Sequence, residues 1–395
     1  MPKVLIIGGG FAGCAAADLI SQLEGTEVDL IEGSSYLGAG NKTRWYGGHP
    51  YTFGPRHFLT PYEEVFQYLD EIIKINLCPE HEFLSYVESD NNFYAYPINM
   101  EDVRNMPEYS TIKKELQISS RDKVNGAVEA SNLEEYWIKS VGSTLYNKMI
   151  KNYNKKMWLV DDVKKIDTFK WSPKGVTIKE GPRAAWDNVF SGYPYAKNGY
   201  DDYFPYATRN ASVYLNTKLT KIDMVKKEIE IGGGTRRYDI IVNTIAPETL
   251  YEKQLGDLPY LGRKLDLIVF PTEHVFPGNV YFLYYTGNES FTRLVEYKKF
   301  TKHEDRHSLI GMETPVNNGG KDYPMPFRWA QKKAREYHKM MKEDVYSIGR
   351  AGSYLYGIDI DDCIRQAMMI KERIKSKSWD YPVPGEQYQF PELDK

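Results

Sequence analysis

The chain has 395 residues, 42% of them hydrophobic and 27% charged, with a formal net charge of -3. That length supports two or three packed units with sizeable cores. The near-neutral charge excludes a global basic field for nucleic acid or an anionic membrane.

In chain order, MPKVLIIGGGFAG comes first. It is apolar but too short and too glycine-broken for a signal peptide or a membrane span, and no later run approaches about 20 apolar residues. KVLIIGGG is rich in β-branched residues and ends in glycine, which reads as a buried parallel strand. FAGCAAADLISQL has helical spacing, and TEVDLIEG reads as a second buried strand, completing a βαβ unit. From about Pro61 to Lys151 the pattern is mostly helical, as in YEEVFQYLDEII and SNLEEYWIKSVGSTLYNKMI. FYAYPINM breaks it as strand or turn, since Pro97 argues against a continuous helix. Trp158 to Tyr206 is weakly periodic and reads as loops and short strands. The stretch from Ala211 to Pro247 reads as consecutive strands with turns. GRKLDLIVFP, GNVYFLYYTG and FTRLVEYKKF follow as strands of an antiparallel sheet. FRWAQKKAREYHKMMKE, DVYSIG and DIDDCIRQAMMIKERI then read as helix, strand and helix, and Ser376 to Lys395 as an irregular tail.

Cys14, Cys78 and Cys363 are far apart and odd in number, with no CxxC and no Cys/His cluster in the sequence. The expectation is neither a disulfide framework nor a metal site, in a reducing cytoplasmic setting. The 32 tyrosines suit aromatic-lined ligand sites as well as ordinary cores.

Gly8, Gly10 and Gly13 form GxGxxG between a predicted strand and helix. Such glycines allow a tight turn, close approach to a pyrophosphate and close helix–strand packing. The helix N-terminus adds backbone N–H donors and a favourable dipole. Glu32 ends the second strand, nineteen residues after Gly13, where a carboxylate accepts from ribose hydroxyls. A glycine turn closing an ordinary βα unit is the plain alternative. FAD is favoured over NAD because a second glycine-rich loop, GSSYLGAGNKTRW, follows Glu32 and a Gly349-Arg350 pair follows a late strand. A compact NAD domain would close within about 150 residues.

Further segments resemble the UDP-galactopyranose mutase family across most of the chain. GGGFAG…DLIEG is similar to its opening and Gly40-Asn41 to its Gly-Asn. FGPRHFLT resembles Tyr-Gly-Pro-His-Ile-Phe-His-Thr, YPINM a Pro-Ile-Asn motif, and NYNKKMW a Tyr-Thr-x-Lys-Gln-Trp motif. GYPYAKNGY resembles Gly-x-Pro-x-x-Gly-Tyr, FTRLVEYKKF resembles Tyr-Thr-Arg-Ile-x-Glu, and DYP resembles Tyr-Tyr-Pro. GRAGSYLYGIDID resembles Gly-Arg-x-x-x-Tyr-x-Tyr-x-Asp-Met-Asp.

The resemblance implies an α/β protein with a discontinuous Rossmann-like FAD-binding domain (1–60, 207–250 and 335–395). An inserted helical domain (61–157) and an antiparallel sheet domain for substrate (158–206 and 251–334) complete it. It implies a mutase interconverting pyranose and furanose forms of a nucleotide-activated hexose, such as UDP-galactose or UDP-N-acetylgalactosamine, through a flavin N5-sugar adduct. The product would feed surface polysaccharide synthesis. FAD would be noncovalent and active when reduced by NAD(P)H or another external reductant, in a cytoplasmic homodimer.

By the same resemblance Gly8, Gly10, Gly13, Glu32, Gly40, Asn41, Gly349, Arg350 and Asp359 bind cofactor. Arg293 contacts the diphosphate near the flavin; its plain alternative is a solvent-facing strand Arg paired with Glu296. Tyr323 and Tyr356 donate to the diphosphate, with Tyr354 competing because the last motif carries one extra residue. Tyr153 and Trp158 flank the uracil and sugar-phosphate, and Tyr200 belongs to the substrate set. Lys174 and Arg183 are both candidates for the family's mobile-loop arginine. Arg56, His57 and Leu59 stand where the family has His, Ile and His, so a different sugar is open. Arg56 and His57 join Arg293 as candidate catalytic residues. Rival readings are an FAD-dependent amine oxidase or desaturase, an NAD(P)-linked dehydrogenase, and a non-catalytic dinucleotide-fold binding protein.

Overall fold

The structure, a computed structural model, describes residues 2–119, 130–167, 178–231 and 233–376. Lys174 and the tail after Ser376 lie outside the described residues.

Val4, Leu5, Ile6 and Ile7 are all buried, as a strand covered on both faces requires. Their strand, Lys3–Ile7, is the middle of a five-stranded sheet. Glu27–Ile31 and then Ser212–Tyr214 flank it on one side, and Ile240–Asn243 and then Val345–Ser347 on the other. Every pairing is parallel. The helix Phe11–Ser21 lies along Ile360–Ser376, and its buried Ala15, Ala16 and Ala17 let neighbours approach it closely on more than one side. The C-terminal ends of these strands carry the glycine turn and Gly349-Arg350, where open α/β sheets bind ligands.

The second layer is a seven-stranded sheet. Its order is Tyr323–Pro324, Tyr260–Phe270, Ser308–Val316, Arg293–Glu296, Val280–Tyr285, Glu82–Val87 and Asn92–Tyr96. It is antiparallel except where Val280–Tyr285 runs parallel to Glu82–Val87. Residues 61–157 are therefore not simply helical. EFLSYV alternates half-buried and buried along its length, the period of a strand with one covered face. FTRLVEYKKF also departs from expectation: its strand stops at Glu296 and a buried helix, Tyr297–Thr301, follows.

The helices of the insertion cover one end of this sheet. Asn132 caps Leu133–Val141 by accepting from the Glu135 N–H. Trp137, Leu145, Tyr146 and Trp158 fill their core. A π-helical turn, Tyr146–Ile150, interrupts the run just before Lys151–Trp158. Such turns recur at functional sites, and here Met149, Ile150, Tyr153 and Asn154 face the cleft between the layers.

Candidate active site

The dinucleotide cradle is built by close packing. Gly8 has φ +102°, and a Cβ on Gly13 would lie 1.9 Å from the Gly8 carbonyl oxygen. Any side chain at Gly13 would therefore separate the helix from the turn. The Glu32 carboxylate accepts from the N–H groups of Gly9 and Ser34, both at 2.7 Å, which fixes it at the end of its strand. Asn41 follows on a short turn, Ala39–Asn41, and its buried Oδ1 has no donor among the described residues. An orphaned acceptor beside a cradle with no room for side chains fits a bound dinucleotide.

Arg56 joins this cradle to the cleft. Its Nε donates to the Gly40 carbonyl at 3.1 Å, and a Cβ on Gly40 would come within 2.4 Å of the guanidinium. Arg56, Arg263, Arg293 and Arg350 all line the cleft. Glu313, buried between two of them, accepts from Arg293 Nη2 at 2.8 Å and Arg263 Nη1 at 3.1 Å. Burial alone would raise the Glu313 pKa, but Arg293 and Arg263 outweigh it and hold the carboxyl below its usual range. Asp322 accepts from the Arg263 N–H at 3.0 Å, and Asp359 lies 3.8 Å from Arg350. Arg56 has no carboxylate within ion-pair distance among the described residues. Its pKa is pushed down to about 10, first by burial and then by Arg263 and Arg350. It remains charged at neutral pH, and a buried cation among other cations favours an anionic ligand.

Aromatic rings supply the rest of the wall. The Tyr323 ring lies under Arg263 at 4.7 Å and under Arg350 at 5.4 Å, and Tyr356 meets Tyr323 edge-on at 5.3 Å. Tyr153 meets Tyr284 at 5.7 Å. Burial raises the phenol pKa of Tyr153, Tyr284 and Tyr356, so these groups stay neutral hydrogen-bonding groups at pH 7. Phe83, Phe282 and Trp186 form an apolar flank.

The cleft gathers Arg56, His57, Arg293, Arg350, Asp359, Tyr153, Tyr323 and Tyr356. The plain alternative for Arg293 does not hold: it pairs with Glu313 on the neighbouring strand, while Glu296 accepts from the N–H groups of Val275 and Phe276. His57 reaches the cleft with one edge, and its Nε2 sits 2.9 Å from Ser191 Oγ behind the wall.

Other expected substrate contacts sit elsewhere. Trp158 is fully buried and supports Tyr356 from behind, at 4.8 Å between rings. Tyr200 is buried and donates to the Arg56 carbonyl at 2.6 Å, so it shapes the loop. The Tyr354 hydroxyl donates to the Pro259 carbonyl at 2.6 Å inside the core, which leaves Tyr356 in the cleft. Arg183 pairs with Asp102 at 2.5 Å and Glu82 at 3.3 Å, away from the cleft lining. Arg263, Glu313, Tyr284 and Trp186 were not foreseen. Arg263 and Glu313 stand among apolar same-face neighbours on their strands, and only the register shows that they meet each other.

A parallel-sheet dinucleotide fold beside a cleft of guanidinium groups and phenols suits an enzyme whose ligands carry negative charge. The sequence profile of the UDP-galactopyranose mutase family matches residues 148–356, more than half of the chain, and that of the NAD(P)-binding Rossmann-like domain matches residues 6–72. The chain belongs to the UDP-galactopyranose mutase family and is an isomerase of that type. It is similar to a dTDP-fucopyranose mutase of Escherichia coli, 24% identical over 93% of this chain and 97% of that protein. A probable UDP-galactopyranose mutase of Klebsiella pneumoniae is 22% identical over 95% of each chain. The fold matches a crystal structure of reduced UDP-galactopyranose mutase with TM-score 0.80 and 17% identity, over 96% of this chain and 97% of that one. No helix among the described residues is long and apolar enough to cross a membrane.

Proposed function

We propose that the chain is an FAD-dependent mutase that interconverts the pyranose and furanose forms of a hexose linked to UDP or dTDP. The observation that carries this reading is the cationic cleft around Arg56, whose guanidinium lacks a counter-anion among the described residues. A nucleotide diphosphate supplies one, and Arg263 and Arg293 offer further forked donors to it.

Gly8, Gly10, Gly13, Glu32, Gly40, Asn41, Gly349, Arg350 and Asp359 would hold the FAD. Bound and reduced, it supplies the nucleophile for the anomeric carbon, and NAD(P)H or another external donor supplies the electrons. The chain's own residues bind and orient. Arg293, fixed by Glu313, stabilises negative charge growing on the departing diphosphate. Tyr323 and Tyr356 donate hydrogen bonds to it without adding charge. Tyr153 offers a flat face to the pyrimidine, worth about 1–3 kcal/mol by stacking. Phe83, Phe282 and Trp186 keep water from the reacting sugar. Arg56 and His57 border the sugar, and their difference from the family's histidines favours a sugar other than galactose as the preferred one. A cytoplasmic homodimer serving surface polysaccharide synthesis is consistent with this reading.

The test is to incubate dithionite-reduced enzyme with UDP-, GDP- and dTDP-hexoses and search for isomers of unchanged mass. A furanose product from reduced enzyme, with almost none from oxidised enzyme, is expected. Stoichiometric consumption of oxygen or of another acceptor would mean an oxidase instead.

A further inference from the structure

Away from the cleft, a hairpin of Arg44–Tyr46 and His49–Tyr51 packs against the helix Tyr297–Thr301. His49 on the hairpin meets His303, in the loop after that helix, with ring centroids 5.3 Å apart. One nitrogen of each ring and one Asp305 oxygen all lie within 4.8 Å of one another. We propose that His49, His303 and Asp305 bind a divalent transition-metal ion of the zinc class, and that the ion fastens the hairpin to the sheet domain.

Polar accounting separates this cluster from an ordinary packed one. Both ring nitrogens of His303 are buried and have no hydrogen-bond partner among the described residues. A buried orphaned imidazole nitrogen is costly unless a ligand is bound there, and a metal ion would take one of the two. Among the described residues a second gathering of ligand atoms, His57, Cys78 and His81, differs. Ser191 Oγ sits 2.9 Å from His57 Nε2 and 3.0 Å from His81 Nδ1, so a hydroxyl already engages one nitrogen of each ring there.

The donor set selects the metal. Two imidazoles and one carboxylate suit zinc, cobalt or nickel; magnesium and calcium seek oxygen. Around a tetrahedral ion the donor atoms settle about 3.3 Å apart, so a modest rotation of the exposed Asp305 side chain completes the set. His307 engages one oxygen of that carboxylate, its N–H at 2.8 Å and its Nδ1 at 3.0 Å from Asp305 Oδ1, and can stay bonded to it as the side chain turns. Such outer partners orient metal ligands. Lys197 and Lys298 place positive charge near His303, and Asp305 places negative charge there. Those cations also weaken the attraction for a dication. The sequence shows no metal-ligand spacing here, because His49 lies far from His303 and Asp305 along the chain.

The experiment uses tag-free, chelator-treated full-length protein. Co(II) is titrated and its visible absorption followed, and thermal melts are run with and without ZnCl2. The expected result is one Co(II) per chain, displaced by Zn(II), and a higher melting temperature with zinc. His303→Gln and the exposed Asp305→Asn should each weaken binding at least tenfold and remove the zinc-dependent shift, while Cys78→Ser leaves both unchanged. Wild-type protein that binds neither ion stoichiometrically would overturn the proposal. So would undiminished binding by His303→Gln and Asp305→Asn, or loss of binding in Cys78→Ser.

Discussion

On the cofactor side of the cleft, the decisive groups lie between Gly8 and Asn41 and work mainly through what they lack. A missing Cβ at Gly13 lets the helix close onto the Gly8 turn, and the short turn at Ala39–Asn41 supplies a buried acceptor. On the substrate side, Arg56, Arg263 and Arg293 arrive from three distant segments and work through charge. The cofactor side is mainly a question of shape, so the smallest added group should damage it. The substrate side is a question of charge balance, so exchanges that preserve shape should damage it most.

Gly13→Val tests the first half and should have the largest effect. Its Cβ would overlap the Gly8 carbonyl, so the purified variant should carry no flavin absorbance and should melt lower. Normal flavin content would break the comparison. Glu313→Gln tests the second half. It leaves Arg263 and Arg293 without their shared anion, at a cost of about 3–5 kcal/mol in urea unfolding. Its pH dependence is also defined. The folded-state pKa of Glu313 is depressed, so its contribution is present above the unfolded value, about 4.3, and is lost as pH falls through the lower folded value. Wild-type stability should fall in that acidic range, and the Gln variant should show a flatter curve there.

Arg293→Lys separates the halves. It keeps the charge and loses the fork, so kcat/KM should fall about 100-fold while FAD stays bound. A parallel loss of flavin would show that the two sides are not independent. Tyr356→Phe removes one hydroxyl and should raise KM roughly two- to tenfold. Arg183→Ala should leave kcat/KM within about twofold, since its partners are Asp102 and Glu82 on the outside of the cleft.

The same division explains what could be read from the sequence. The glycine motif, Glu32 and the late Gly349-Arg350 are local patterns whose geometry is set by neighbours in the chain. Arg263 is different. A strand arginine reads as solvated until its partner is known, and that partner, Glu313, is buried by pairing of Tyr260–Phe270 with Ser308–Val316. The choice between Tyr354 and Tyr356 needed backbone geometry. Tyr354 takes φ +50° and turns its hydroxyl onto Pro259. The strand Glu82–Val87 was hidden by the helical run around it and is stabilised by partners on both sides, Val280–Tyr285 and Asn92–Tyr96.

The contact between Arg56 and Gly40 has a consequence for how the two ligands are felt by one another. One guanidinium rests on the cofactor loop and also faces the cleft, so its placement belongs to both equilibria at once. Linkage then requires reciprocity: whatever factor FAD adds to nucleotide-sugar affinity, the nucleotide sugar adds to FAD affinity. Arg56→Ala should bring that factor towards one. Calorimetric titration of UDP with FAD-loaded and FAD-stripped protein, in wild type and variant, measures the factor directly.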